Sequence, residues 1–253
     1  MRGLVLLGLS ALLAFQRPGG RGRAEPIEPA RPEGRPHGFY FTRAAYNGGG
    51  WRGGAWATDY PKTDRQFLVG VKTILQFIDA SPDEHPVRLD DPELFRFPFL
   101  YAAEVGYMDL SEPEIEGLRR YLQAGGFLVV DDFWGTNEWS NFESEIRRVL
   151  PNNAIVEIPL DHPVFHSFYD IPKILQVPNV GNAIRGGPTW ERDGHVPHCR
   201  GIFDDDGHLM VVINWNTDLG DAWEWAENPL YPLQYSGFAY EMGINLIVYA
   251  MSH

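Results

Sequence analysis

Gly125-Gly126-Phe127-Leu128-Val129-Val130-Asp131-Asp132-Phe133-Trp134-Gly135 is the stretch whose reading decides the fold. A glycine pair ends whatever precedes it, four apolar residues follow, and two adjacent carboxylates close the run. A short apolar run bounded in this way reads as a strand buried on both faces, the kind found inside parallel sheets. Open α/β sheets bind their ligands beyond the carboxyl ends of the strands. Asp131 and Asp132 therefore stand where a site is expected. Successive strand side chains point to opposite faces, so at most one of the two faces a given site.

Working outward, Ser111-Glu112-Pro113-Glu114 predicts a helix start: serine caps, proline fits the first turn, and the acids favour the positive end of the dipole. Ile115, Leu118 and Leu122 share its apolar face, and Gly125 stops it. Phe97 to Ala103 predicts a strand before this helix, ending at Glu104. Further upstream, Gly38 to Thr42 reads as the first strand. A helix capped by Asp64 runs through Asp79, with Phe67, Val71, Ile74, Leu75 and Ile78 on one face. Downstream, Asn141 to Leu150 reads as a helix and Ala154 to Ile158 as a strand. Residues 172–200 look irregular. Gly201 to Phe203 and Leu209 to Asn214 flank the turn Asp204-Asp205-Asp206-Gly207 as a hairpin, and Tyr235 to Met251 closes the chain as an apolar helix. Strands alternating with helical patterns predict an α/β protein with a mainly parallel sheet covered on both sides, the late hairpin adding antiparallel pairing at one edge.

The 253 residues are 44% hydrophobic and 13% aromatic, enough to build a sizeable core. The net charge is −13, and the segment before His37 is its basic part (Arg2, Arg17, Arg21, Arg23, Arg31 and Arg35 against Glu25, Glu28 and Glu33), so the remainder is more acidic still. Such a surface repels nucleic acid and anionic membrane and favours cations, neutral ligands such as sugars, or a basic protein partner. Cys199 is the single cysteine, which excludes an intramolecular disulfide and a cysteine-based zinc site.

Residues 1–24 read as a signal peptide or, as the runner-up, an uncleaved N-terminal anchor: a basic start precedes the apolar run Leu4 to Phe15, and Arg21-Gly22-Arg23-Ala24 is a poor cleavage site. Residues 25–36, rich in Pro, Gly, Arg and Glu, read as a disordered linker, and residues 37–253 as one domain. The expected location is periplasmic or extracellular, with no membrane span beyond the N-terminal segment.

Four ordered motifs carry a family resemblance: Gly126 to Phe133, Asp161 to Tyr169 (Asp-His-Pro-Val-Phe-His-Ser-Phe-Tyr), Asp218 to Glu224 (Asp-Leu-Gly-Asp-Ala-Trp-Glu) and Gly243 to Met251. With them the chain resembles the bacterial domain-of-unknown-function family 4159. The resemblance implies a flavodoxin-like, three-layer α/β/α sandwich similar to class I glutamine amidotransferases, and it implies no established activity. Those enzymes place a catalytic cysteine on a strand-to-helix turn. Here that turn reads Asp131-Asp132-Phe133-Trp134-Gly135, so cysteine-dependent amide hydrolysis lacks its nucleophile.

Three constellations could carry chemistry. Asp131 and Asp132 with His162 and His166 could act as acid and base, and Asp132 with the two histidines could hold a metal. The competing reading gives Asp161 a capping role and the histidines structural hydrogen bonds. Asp218, Asp221 and Glu224, beside Asn214, Asn216, Trp215, Trp223 and Trp225, suit sugar hydroxyls or calcium; here the competing reading is a solvated acidic helix start with tryptophan packed on the body. The loop Arg43 to Asp59, with five glycines and Trp51, lets backbone approach a ligand, with Arg43 at the strand end. It lacks the lysine of a phosphate loop, and its competing reading is a mobile surface lid. Asp204 to Gly207 is explained by its turn alone. The leading expectation is a non-catalytic ligand-binding or interaction module of the cell envelope, its sugar or polyol held over Asp131, Asp132 and Trp134. The alternative is a carboxylate- or metal-dependent hydrolase of carbohydrate or peptide. No cofactor is expected beyond a divalent cation.

Overall fold

The computed structural model describes residues 36–49 and 55–252. The expected signal peptide or anchor, nearly all of the expected linker, and Trp51 of the glycine-rich loop lie outside the described residues. Seven strands form one sheet: β1 (Thr42–Ala45), β2 (His85–Arg88), β3 (Phe99–Ala103), β4 (Phe127–Asp131), β5 (Ile155–Glu157), β6 (His198–Phe203) and β7 (Leu209–Trp215). Their order is β2-β1-β3-β4-β7-β6-β5. The first five positions pair in parallel, whereas β6 runs antiparallel to both β7 and β5. The fold is thus α/β, with a mostly parallel sheet and the late hairpin at one edge, as the sequence pattern predicts.

Helices cover both faces, giving three layers. Helices α2 (Glu112–Gln123) and α3 (Gly135–Val149) lie on one side. On the other lie α1 (Lys62–Ile74), α5 (Leu219–Glu224) and α6 (Leu233–Ser252), while the short α4 (Val180–Arg185) sits in the connection between β5 and β6. Strand β4 shows why the layers form. Phe127 and Val129 enter the core shared with α1, α5 and α6, whereas Leu128 and Val130 enter the core shared with α2 and α3. Period-two alternation along the four successive apolar residues of β4 requires an apolar partner on each side. No helix among the described residues is long and apolar enough to cross a membrane.

Several boundaries differ from the sequence reading, for identifiable reasons. Strand β1 begins at Thr42, and Phe39 makes only an isolated bridge with Ala80. Strand β2 has no counterpart in the reading. It contains Pro86, which lacks a donor and is tolerated because β2 is an edge strand. Helix α3 starts at Gly135, ahead of the expected Asn141, because distant side chains cap it: Asn216 Oδ1 accepts from Gly135 N at 2.8 Å and Asp193 Oδ1 from Thr136 N at 2.9 Å. Helix α2 matches its predicted start. Ser111 donates through both N and Oγ to Glu114 Oε2, and Glu114 Oε1 accepts from Asn47 N at 2.7 Å, tying α2 to the chain beyond β1.

Asp64 does not cap α1. It lies in the helix's first turn, fully buried against Arg43, which is also fully buried on β1. Arg43 Nε donates to both Asp64 oxygens at 2.9 and 3.0 Å, and Nη1 donates to the carbonyls of Trp56 and Thr58 at 3.0 and 3.1 Å. The guanidinium lies 5.1 Å from the Tyr101 ring centre. This pair fixes the chain between β1 and α1 from inside. Removing one partner strands a buried charge, so Asp64→Ala is expected to lower stability by about 3–5 kcal/mol in urea unfolding. A loss under about 1 kcal/mol would show that the pair is dispensable.

Candidate functional site

Strand order reverses between β1 and β3, and in doubly wound sheets the crevice at such a point, beyond the carboxyl ends of the strands, is where ligands bind. The protein has an acidic cavity of ≈170 Å³ at this edge. Each parallel strand flanking the reversal and the two after it deliver a carboxyl group to it. Asp59 comes from the segment after β1, Glu104 from the residue after β3, Asp132 from the residue after β4, and Asp218 and Asp221 from the cap and first turn of α5, which follows β7.

The backbone there is unusual. Every non-glycine residue with positive φ among the described residues is at this cavity or braces it: Asp59 (59°), Glu104 (54°), Asp132 (52°), Arg192 (51°) and Asn216 (62°). Each such conformation costs about 1–3 kcal/mol and persists only where surrounding structure enforces it. The enforcing contacts are visible. Glu104 N donates to the carbonyls of Asp131 and Asp132 at 3.2 and 3.1 Å, joining the ends of β3 and β4. Asn216 N donates to Phe133 O at 3.1 Å. Asn216 Nδ2 donates to Val196 O at 2.7 Å.

Burial and mutual repulsion oppose ionisation of Asp59, Glu104, Asp132 and Asp218. Asp59 is pushed up to about 7 by burial first, then by Asp221 and Glu224. Glu104 also rises to about 7, again chiefly by burial, with Arg192 holding it back. Burial, followed by neighbouring carboxylates, lifts Asp132 and Asp218 well above the ordinary range. Oxygens of Asp59, Asp221 and Glu224 lie within 4.8 Å of one another, close enough to share one ion. At the rim, Lys62 Nζ reaches Glu224 at 3.4 Å. An all-carboxylate donor set suits a hard cation such as calcium or magnesium.

The structure separates the two aspartates that close β4. Asp132 lines the cavity and accepts from Trp134 Nε1 at 3.2 Å, with Trp134 beside it in the wall. Asp131 lies on the other face of the sheet, fully buried, where its Oδ2 accepts from Tyr101 Oη at 2.9 Å and from Gly220 N at 3.0 Å. It anchors the start of α5, and burial raises it to about 7. Asp218 caps α5 by accepting from Asp221 N at 2.7 Å, and Asp221 accepts from Val180 N at 2.6 Å at the start of α4.

Other expected site residues lie elsewhere. Arg43, expected at the ligand, has its donors committed to Asp64 and backbone. Trp223 is buried in the core, stacked on Phe67 at 4.2 Å between ring centres. His162 and His166 do not meet Asp132. The His162 ring is 5.7 Å from Phe203, which pairs with Leu209 at the start of β7, whereas Asp132 lies beyond the carboxyl end of β4. His162 Nδ1 caps a short turn by accepting from Val164 N, and His166 bonds Asp170 and Leu160 O at 2.6 and 2.8 Å. The set Asp132, His162 and His166 is therefore no metal site, since the histidines sit at the opposite end of the sheet. Cys199 is buried on β6, which pushes its thiol far up. A larger hollow of ≈650 Å³ at that opposite end includes Asp204 and His208. There Asp204 accepts from Asp206 N and His208 N, the bonding of a hairpin turn.

The sequence reading missed Asp59, Glu104, Glu138, Glu191 and Arg192. Glu104 carried the same signal as Asp132, an acid closing an apolar strand. Glu138 lines the cavity from the first turn of α3, and Asp59, Glu191 and Arg192 arrive through loops whose path no local pattern fixes. With this geometry in view, a family model described as "Domain of unknown function (DUF4159)" matches residues 40–251, and the chain belongs to that family. None of the curated proteins matches it.

A carboxyl raised by folding stabilises the protein fully below its unfolded pKa and loses that stabilisation as pH rises through its folded pKa. Asp59, Glu104 and Asp131 rise from 3.8 or 4.5 to about 7, so the sensitive window lies between those values. Asp132→Asn removes one repelling group. Without divalent cations, its Tm advantage over wild type is expected to grow as pH rises from about 5 to about 8. A difference independent of pH would contradict this electrostatic account.

Proposed function

We propose that this member of the DUF4159 family is a non-catalytic ligand-binding module whose acidic cavity takes a hard divalent cation, alone or together with the oxygens of a hydroxyl-rich ligand such as a sugar. The observation that carries this reading is the convergence of carboxyls from four successive strand ends, held on strained backbone, upon one cavity. Carboxyls gathered this way either keep protons or gain a cation. A cation replaces desolvated repulsion with direct coordination and releases the protons. Asp59, Asp221 and Glu224, whose oxygens already lie together, would be the principal ligands, with Asp132, Glu104 and Asp218 around them and Trp134 as an apolar wall.

Kinship with class I glutamine amidotransferases is part of this proposal. The parallel portion β2-β1-β3-β4-β7 follows the strand order of flavodoxin-like folds, which supports it. The turn after β4 offers Asp132 where those enzymes carry cysteine, which favours binding over acyl transfer. The basic, apolar start of the chain supports export to the cell envelope, where sugars and millimolar divalent ions are available ligands and an envelope protein is an alternative partner.

One observation favours a second reading, a carboxylate- or metal-dependent hydrolase of carbohydrate or peptide. Asp59 and Glu104 both lie near 7, where a carboxyl can serve as acid or base at neutral pH. Turnover of glycosides or peptides abolished by Asp132→Asn would favour it.

Isothermal titration of calcium and of magnesium into the purified chain at neutral pH tests the binding reading. Saturable binding with proton release is expected, weakened about ten-fold or more (about 1.4 kcal/mol) in Asp132→Asn and in Asp221→Asn. Absence of heat and of thermal shift with either ion would refute it, as would variants that bind like wild type.

A further inference from the structure

The strap between α4 and β6, residues 187–197, brings an opposite charge into the acidic cavity. Among the described residues that line the cavity, Arg192 is the one cation. Its guanidinium pairs with Glu138 of α3, whose side chain is 5% exposed against 43% for Arg192. Arg192 Nη2 also donates to Tyr107 Oη at 2.7 Å, and the ring of Tyr107 lies 5.8 Å away. Arg192 adopts a left-handed φ of 51°, a cost the strap bears at the residue that enters the cavity.

The strap is pinned on both sides of this residue. Thr189 Oγ1 donates to Gln176 Oε1 at 2.7 Å, and Asn179 Nδ2 donates to Glu191 Oε1. On the far side, Asp193 accepts from Thr136 N and Oγ1 at 2.9 and 2.6 Å, and Gln176 Nε2 donates to Gly194 O at 2.9 Å. These bonds hold the backbone, whereas the Arg192 side chain reaches in from a partly exposed position. A long, flexible cation on a fixed backbone can leave without the strap unfolding.

We propose that Arg192 is a built-in counter-ion of the cavity, and that a divalent cation binds in competition with it, releasing its guanidinium from Glu138 to solvent. This inference rests on the cation-binding reading above. Arg192 then sets the affinity of the site: it lowers the cost of the ion-free cavity and repels the incoming ion. The freed Glu138 carboxylate becomes available to the ion or to its water shell, and its remaining oxygen keeps its bond from Trp134 N.

The test is calcium titration of the purified full chain and of Arg192→Gln, read by calorimetry and, as a second signal, by the total tryptophan emission, to which Trp134 in the cavity wall contributes. Removing a guanidinium from the wall of the same partly solvated cavity is expected to tighten calcium binding about ten-fold. Unchanged or weaker binding in Arg192→Gln, with wild type binding, overturns the competition while leaving the cation reading intact. No binding by either protein overturns both. Arg192→Lys, which keeps the charge and the fold, is expected to bind like wild type. If Arg192→Gln proves unfolded, the pair is read in the wild-type chain by the side-chain Nε–Hε NMR resonance of Arg192. Calcium should move it to the position and fast water exchange of a solvent-exposed guanidinium, and an unmoved, slowly exchanging resonance would refute displacement.

Discussion

Carboxyl groups from four strand ends must meet at one edge of a single sheet, and their mutual repulsion is the constraint on which the rest of the structure depends. Burial makes it more severe, because Asp132, Asp218 and Asp221 are all buried. A chain free to relax would splay these residues into solvent. This one holds Asp59, Glu104 and Asp132 in left-handed backbone, a conformation rarely adopted without enforcement. The strain and the repulsion occur at the same residues. Natural sequences depart from local preference chiefly where function requires it, which is why this edge stands apart from the rest of the fold.

What resists the repulsion lies behind the cavity. Arg43 grips Asp64 and two carbonyls before Asp59, so the segment leading to Asp59 is fixed from the interior. On the other face, Asp131 receives the Tyr101 hydroxyl and the Gly220 amide, which sets the start of α5 and with it Asp218 and Asp221. Asn216 joins the end of β7 to the first residue of α3 and to the strap. These polar contacts are buried in a sheet otherwise packed with apolar side chains, and they place the carboxyls more rigidly than surface loops would.

The sheet's centre was legible in the sequence because its signals are local. Phe127 to Val130 is apolar at every position, and Ser111 with Glu114 announces the preceding helix in four residues. The edges were not legible. Pro86 argues against a strand unless the strand is known to be outermost, and the caps of α3 come from Asn216 and Asp193, far along the chain. The site was legible in part for the same reason. Asp132, Trp134, Asp218 and Asp221 follow strands or open a helix, and the structure gathers them. His162 and His166 share helical spacing that the chain does not use: only Pro163–Phe165 between them form a short 3-10 turn. Asp59, Glu191 and Arg192 reach the cavity through loop paths fixed by tertiary contacts alone.

We propose the acidic cavity between the ends of β1, β3, β4 and β7 as a hard-cation site. A crystal structure of the protein grown with manganese, with anomalous data collected near the manganese edge, tests it most directly. An anomalous peak is expected within about 2.0–2.6 Å of carboxylate oxygens from at least two of Asp59, Asp221, Glu224 and Asp132. A cavity without a peak, or a peak confined to the Asp204–His208 turn at the opposite end of the sheet, would contradict it.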